Sequence, residues 1–345
     1  MPLKKFLPIL MNCADWIETL PGNGMLAFSD AAGAKSCLAL AHILLAKKPT
    51  LQLQLFSNQH HTFYAEWPFT VTAVQDVETI EMNDCNWLFT GTSHPDSSSC
   101  FELKMIRKAQ ENTIRTIAFI DHQTALEERF QLNKNTVFPE TIFLANSVSL
   151  SDAIAAGLPE DRLKNCEDPY KTFLREYWVQ QTSKADFRNQ YGISDSVQHI
   201  ITIAPDPISL RHDLSAFGFN ELTFLERFLP LIKEESSLFF ILKTHPLQPL
   251  TPLNDLLLQF DVQNVALDHE GKFPNAEIIF HSDAIIGFFS NFLVEAHALG
   301  KPIFRYLSTG EDQFERIFRN FGIHCTSEEQ LVQELKGYLG TCKTV

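Results

Sequence analysis

Leu238-Phe239-Phe240-Ile241-Leu242 is a short apolar run that stops at Lys243-Thr244-His245-Pro246. The run reads as a strand. The same pattern recurs downstream, where Asp283-Ala284-Ile285-Ile286-Gly287-Phe288-Phe289 gives way to Ser290-Asn291-Phe292-Leu293-Val294-Glu295 and then Gly300-Lys301-Pro302. In an open parallel sheet, ligands bind beyond the carboxyl ends of the strands. A histidine, a hydroxyl, a helix N-terminus and a carboxylate are therefore expected on one rim. That set suits a nucleotide, with donors for phosphate and a carboxylate for ribose hydroxyls.

Outward from these two strands the C-terminal half alternates strand and helix. Strands are expected at 199–204, 238–242, 264–267, 283–289 and 302–306. Helices are expected at 221–233, 253–260, 291–299, 313–320 and 328–339, with Pro230 kinking or shortening the first. The N-terminal half alternates in the same way. Its strands are expected at 24–29, 51–56, 70–74, 86–90, 115–120 and 141–145. Its helices are expected at 34–47, 99–111 and 152–156, the last stopped by Gly157-Leu158-Pro159. Such βα alternation implies a parallel sheet covered by helices. Between the halves lies a bridge holding a helix at 170–180 and a polar stretch through Asp186 and Asn189. The expected division is 1–166, a linker at 167–195, and 196–345, with a cleft between two α/β domains.

The chain has 345 residues, enough for two domains of ~150 residues. Hydrophobic residues make up 45% and charged residues 20%, so either half can bury a core. The 29 phenylalanines are expected to fill those cores rather than to form a ligand platform. A net charge of −14 argues against a nucleic-acid partner, which needs a basic face. The cysteines at 13, 37, 85, 100, 166, 325 and 342 are odd in number and lack a CxxC pair, which fits a reduced, cytoplasmic protein. The opening run from Met1 to Leu10 is broken by Pro8 and lacks a small-residue cleavage site, so it does not read as a signal peptide.

Each candidate residue has a plain structural reading beside the functional one. His245 can donate to a phosphate or carry a proton, or it can be a solvated loop histidine. Lys243 adds a cation, in a residue type common on surfaces. Ser290 and Asn291 sit where a helix starts, and a cap there is compatible with a phosphate site at the helix N-terminus. Glu295 lies about one turn into that helix and could reach a ribose or simply face solvent. In the N-terminal half, Asp30-Ala31-Ala32-Gly33-Ala34-Lys35-Ser36 is a small-residue turn where Gly33 could let a phosphate or an acceptor approach, although neither GxGxxG nor GxxxxGK[ST] is present. Thr90-Gly91-Thr92-Ser93-His94 and Asp121-His122 also follow strands. Asp121 and His122 are the acid/base candidates of this half, and adjacent residues rarely point the same way. Arg129 could bind an anion or pair with neighbouring acids. His60-His61 has no third ligand at metal spacing, so no metal is assigned.

Lys243-Thr244-His245-Pro246 resembles the His-Pro element of bacterial sialyltransferases and polymer-forming glycerophosphotransferases, and Ser290 resembles their later serine element. Glu295-Ala296-His297-Ala298-Leu299-Gly300-Lys301-Pro302 resembles the matching stretch of non-hydrolysing UDP-N-acetylglucosamine 2-epimerases. These are nucleotide-sugar enzymes of the GT-B type. The resemblance covers roughly Ile200 to Tyr306, and in the N-terminal half it rests on the fold pattern alone. It implies two Rossmann-like domains facing across a cleft, with no cofactor beyond a nucleotide-sugar donor. Lys243, His245, Ser290, Asn291 and Glu295 would bind that donor. A glycan or lipid-linked acceptor, with a catalytic base, would sit on the N-terminal half, and peripheral membrane association stays open. The implied reaction is glycosyl transfer in polysaccharide or glycoconjugate synthesis. A UDP-sugar 2-epimerase and a non-catalytic scaffold are the alternatives. The chain departs from the sialyltransferases in lacking their Asp/Glu-Asp/Glu-Gly element, for which Asp121 would substitute, and in following Ser290 with Asn291.

Overall fold

The computed structural model describes residues 11–95, 100–146, 148–210, 218–245, 247–269, 271–308 and 322–341. The chain divides into two compact units, Met1–Tyr177 and Trp178–Val345, and the division falls inside the segment 167–195 read as a bridge.

In the first unit the elements are β1 (Met11–Asn12), α1 (Cys13–Glu18), β2 (Gly24–Phe28), α2 (Ala31–Lys47), β3 (Leu53–Ser57), β4 (Val71–Ala73), β5 (Trp87–Thr90), α3 (Phe101–Glu111), β6 (Arg115–Ile120), β7 (Gln131–Leu132), β8 (Asn135–Thr136), β9 (Thr141–Ala145), α4 (Leu150–Ala155), β10 (Leu163–Glu167) and α5 (Pro169–Glu176). The main sheet runs β1-β10-β9-β6-β5-β2-β3-β4, and every pairing in it is parallel. After the edge strand β1 the chain crosses to β2, moves outward through β3 and β4, then returns past β2 to β5 and continues the other way. That reversal puts a topological switch point between β2 and β5, the place where open α/β sheets hold ligands. Strands β2, β5 and β9 are buried at every position, as parallel strands covered on both faces must be. Helix α2 is rich in small residues and buried through Ala34, Cys37, Leu38 and Ala41. Its first turn meets the β5 turn backbone to backbone. A Cβ on Gly91 would lie 2.8 Å from the Cα of Gly33, so both glycines are needed for this approach.

In the second unit the elements are α6 (Lys184–Tyr191), β11 (His199–Ala204), α7 (Glu221–Ile232), β12 (Leu238–Lys243), α8 (Leu250–Phe260), β13 (Val265–Asp268), α9 (Asn275–His281), β14 (Ala284–Gly287), α10 (Asn291–Ala298), β15 (Ile303–Tyr306), β16 (Ile323–Cys325) and α11 (Glu328–Thr341). The sheet order is β13-β12-β11-β14-β15-β16, again all parallel. Its switch point lies between β11 and β14. Here too the backbones crowd, and a Cβ on Gly287 would lie 2.9 Å from the carbonyl oxygen of Ala204. Phe224, Phe228, Phe240 and Phe288 are fully buried, so these phenylalanines are core filling. Phe224 and Phe228 stack at 5.2 Å, and Phe288 meets Phe224 edge-on at 5.3 Å.

Several elements differ from the sequence expectation. The polar stretch through Asp186 and Asn189 is helix α6, capped where the Ser183 hydroxyl accepts the Asp186 amide at 3.1 Å. Its buried face consists of only Phe187 and Tyr191, one turn apart, which is too few to register as a period. Helix α7 runs through Pro230 to Ile232, with the proline on the exposed side. Helix α5 ends at Glu176 rather than at residue 180. Strand β10 is only partly buried and has a mixed sequence, Leu163-Lys164-Asn165-Cys166-Glu167, which explains why it escaped notice. The helix expected at 313–320, Pro246 and Cys342 lie outside the described residues.

Candidate functional site

In the second unit, parallel pairing brings the carboxyl ends of β11, β12 and β14 to one rim. At the end of β14, Ser290 is the N-cap of α10, with φ −73° and ψ 157°, yet its hydroxyl makes no capping bond. The oxygen is buried and has no hydrogen-bond partner among the described residues. An N-cap serine ordinarily accepts an amide of the first turn. Here the hydroxyl stays uncommitted beside a helix N-terminus, which is itself suited to anions. Asn291, the first helical residue, is exposed. Glu295, one turn further, is only 6% exposed, so it is not a surface glutamate.

At the end of β12, Lys243 pairs at 3.6 Å with the buried Asp268 of the neighbouring strand. The next residue, Thr244, is buried and shares a hydrogen bond with His269 Nδ1 at 2.8 Å. His245 is exposed, and its Nδ1 accepts the Leu247 amide at 3.2 Å. An accepting Nδ1 leaves the proton on Nε2. Partial burial lowers the His245 pKa, which favours the neutral ring. Such a ring can donate one hydrogen bond from Nε2.

Between these two ends, after β11, lies Asp206. Its Oδ2 accepts the Phe289 amide at 3.0 Å, one residue before the N-cap of α10. The sequence expectation ends a strand at residue 204 and gives Asp206 no role. Its position after a strand, shared with His245 and Ser290, was the available signal.

The first unit has a second polar rim at its own switch point. Asp30 follows β2 and caps α2, accepting the Gly33 amide at 2.8 Å. The Gly33 amide is thus already bonded. Across the switch point, the Ser93 hydroxyl donates to Glu102 Oε1 at 2.5 Å. Glu102 is 3% exposed, and burial chiefly, with the charge of Asp30 adding, pushes its carboxyl up to about 7. Asp121, after β6, is pushed up to about 6. Burial is the main cause, Asp30 and Asp168 add to it, and Arg129 opposes them. Arg129 stands 3.4 Å from Asp121, and it is buried while donating to the carbonyls of Thr92 and Thr124. It therefore ties the rim together and partly offsets the upward push on the Asp121 carboxyl. His122 turns to its own loop, with Nδ1 2.9 Å from the Thr124 hydroxyl, and burial lowers its pKa. Asp168 caps α5 through the Tyr170 amide and accepts the Ser36 hydroxyl at 3.0 Å. A cavity of about 220 Å³ opens here, lined by Thr92, Ser93, His94, Glu102, Arg129 and Gln131 among others. A larger groove of about 650 Å³ lies at the β3–β4 edge rather than at the switch point. Sequence reasoning missed Glu102, because a glutamate in the first turn of a helix looks like an ordinary dipole partner.

The expected acid/base pair therefore splits, with Asp121 facing Arg129 and His122 facing its own turn. Lys243, His245, Ser290, Asn291 and Glu295 lie at or after the carboxyl ends of β12 and β14, with Lys243 drawn aside by Asp268.

No protein-family model matches the sequence, and no curated protein matches it. Solved structures do match. The UDP-GlcNAc 2-epimerase from Neisseria meningitidis, bound to UDP-GlcNAc, is 12% identical with a TM-score of 0.67, over 93% of this chain and 92% of that one. HepE from Anabaena, in complex with UDP-glucose, is 14% identical with a TM-score of 0.57, over 93% and 90%. A glycosyltransferase from Rickettsia africae is 10% identical with a TM-score of 0.56, over 92% and 88%. The chain has the two-unit α/β fold of these enzymes. At such identities the likeness shows the fold alone, and it agrees with the GT-B type architecture expected from the sequence.

Proposed function

We propose that this protein binds a nucleotide-sugar through its second unit and transfers the sugar to an acceptor hydroxyl. The observation that carries the reading is the buried, uncommitted Ser290 hydroxyl at the N-terminus of α10, on a switch-point rim. The α10 amides and Ser290 would receive the diphosphate, His245 would donate from Nε2, and Glu295 would accept ribose hydroxyls. These donors would stabilise the charge that develops on the leaving nucleotide. Asp121 is the proposed base, to which an acceptor hydroxyl gives its proton. A carboxyl near 6 is mostly ionised at neutral pH yet more basic than an ordinary aspartate.

Epimerisation of a UDP-sugar is the second reading, and one observation favours it. The first unit holds two carboxyls tuned towards neutrality, Glu102 and Asp121, and removal and return of a proton needs two such groups. The test is a thermal-shift panel of UDP-, CMP- and GDP-sugars, followed by product analysis of the stabilising donor. Turnover only with an added acceptor supports transfer, and a new sugar formed from the donor alone supports epimerisation. A scaffold protein would bind without turnover. If no donor stabilises the protein, the nucleotide reading fails.

A further inference from the structure

Asp206 is an acid at a place suited to an anion. Its carboxylate side chain holds the Phe289 amide at 3.0 Å, immediately before the α10 N-terminus. On the other side of the same turn, Arg305 Nε donates to the Phe288 carbonyl at 3.0 Å. One side chain just after β11 and one on β15 thus grip the two sides of a single peptide group, that between Phe288 and Phe289, and fix where Ser290 starts the helix. Arg305 and Glu221 act on Asp206 through their charge. Arg305 of β15 is buried, and its Nη1 lies 3.1 Å from His324 Nε2 of β16. Glu221 of α7 is fully buried and accepts both the amide and the hydroxyl of Ser209. The carboxyl of Asp206 is pushed up to about 7, mainly by burial, with Glu221 adding and the Phe289 amide and Arg305 opposing.

We propose that Asp206 is the positioning residue of the nucleotide site, holding the β14–α10 turn through Phe289 and taking up a proton from solvent when a diphosphate seats at α10. The inference rests on the nucleotide reading of this rim. A protonated carboxyl keeps one oxygen for the Phe289 amide, so the turn survives the change. The proton removes the repulsion between carboxylate and phosphate. Binding and proton uptake are then linked, and affinity falls as pH rises through the range where free Asp206 ionises.

The probe is UDP-glucose, whose diphosphate does not titrate near neutrality. Calorimetry near pH 7 in buffers of different ionisation enthalpy should show the wild type taking up roughly half a proton per UDP-glucose bound. Wild-type affinity should fall roughly fivefold to tenfold from about pH 6.5 to about pH 8, in step with the protonated fraction. D206N keeps an amide oxygen for Phe289 and carries no charge. It should take up no proton, show a flat profile, and bind more tightly than the wild type at about pH 8. A purely structural Asp206 would instead lose affinity in D206N at every pH. Binding with equal proton uptake in both proteins overturns the inference and leaves the nucleotide reading standing. No binding of UDP-glucose by either protein overturns the inference together with the reading beneath it for this donor.

Discussion

Ser290 separates a helix cap from a ligand group at the level of one atom. A capping serine replaced by alanine costs about 1 kcal/mol. The Ser290 hydroxyl makes no cap bond and is buried without a partner among the described residues, so Ser290→Ala should not destabilise the fold. If the hydroxyl binds phosphate, the same change should weaken nucleotide binding roughly tenfold or more, the size of a hydrogen bond to a charged group. Denaturant melts and a binding titration on one preparation decide this. A stability loss without an affinity loss would return Ser290 to a capping role. His245→Ala should likewise lower affinity while leaving the melt unchanged, because the residue is exposed and, among the described residues, its ring bonds to the Leu247 amide of its own loop. Glu102 is a different kind of residue, buried and raised to about 7 from an ordinary 4.5. Since the folded value lies above the unfolded one, the stability it lends is complete below the unfolded value and is lost as pH rises through the folded value. Glu102→Gln removes that dependence while keeping an oxygen for Ser93. The melting temperature of the variant minus that of the wild type should climb from about pH 5 to about pH 8. A difference that stays constant over that range would show that Glu102 ionises normally.

At the scale of elements, the two switch points are places where backbones touch. Gly91→Ala would push a methyl group to 2.8 Å from the Gly33 Cα, a backbone atom that cannot turn aside as a side chain can. Overpacking of this kind costs about 1–3 kcal/mol, and equilibrium unfolding should show it. A neutral result would mean that the first turn of α2 can slide off the β5 turn. The strands that build these switch points were legible in the sequence because they are short and apolar, as Gly24–Phe28 and Ala284–Gly287 are. Ser290, His245 and Asp121 were legible because each follows such a strand. Elements that bury little were not legible. Strand β10 has a mixed sequence, and α6 exposes most of its surface. Glu102 escaped as a site residue, and Arg129 was legible only as an anion contact or a partner of nearby acids, for a related reason. Sequence places each near a turn, but only the packed sheet brings Ser93, Thr92 and Asp121 against them. Burial also sets their protonation, and burial is a property of the fold rather than of spacing.

On the scale of the whole molecule, each unit has its own all-parallel sheet and its own switch point. The second unit also has its own cores, one built around Phe224, Phe228, Phe240 and Phe288, the other around Phe187, Ile200 and Ile285. A domain with its own core folds by itself in principle. The fragment 178–345 should therefore melt cooperatively, as followed by circular dichroism. Since Ser290, His245, Glu295 and Asp206 all lie within it, the fragment should also bind whichever nucleotide stabilises the full chain. At a ligand concentration of about 100 times its dissociation constant, the stabilisation should be about 2.7 kcal/mol, as for any ligand that binds only the folded state. The fragment lacks Asp121 and Glu102, so it should turn over no donor. Binding without turnover in the fragment, together with both in the full chain, would assign donor recognition to the second unit and proton transfer to the first. A cooperative melt with no nucleotide shift, where the full chain does shift, would mean that the donor set on α10 and β12 is not sufficient for the site.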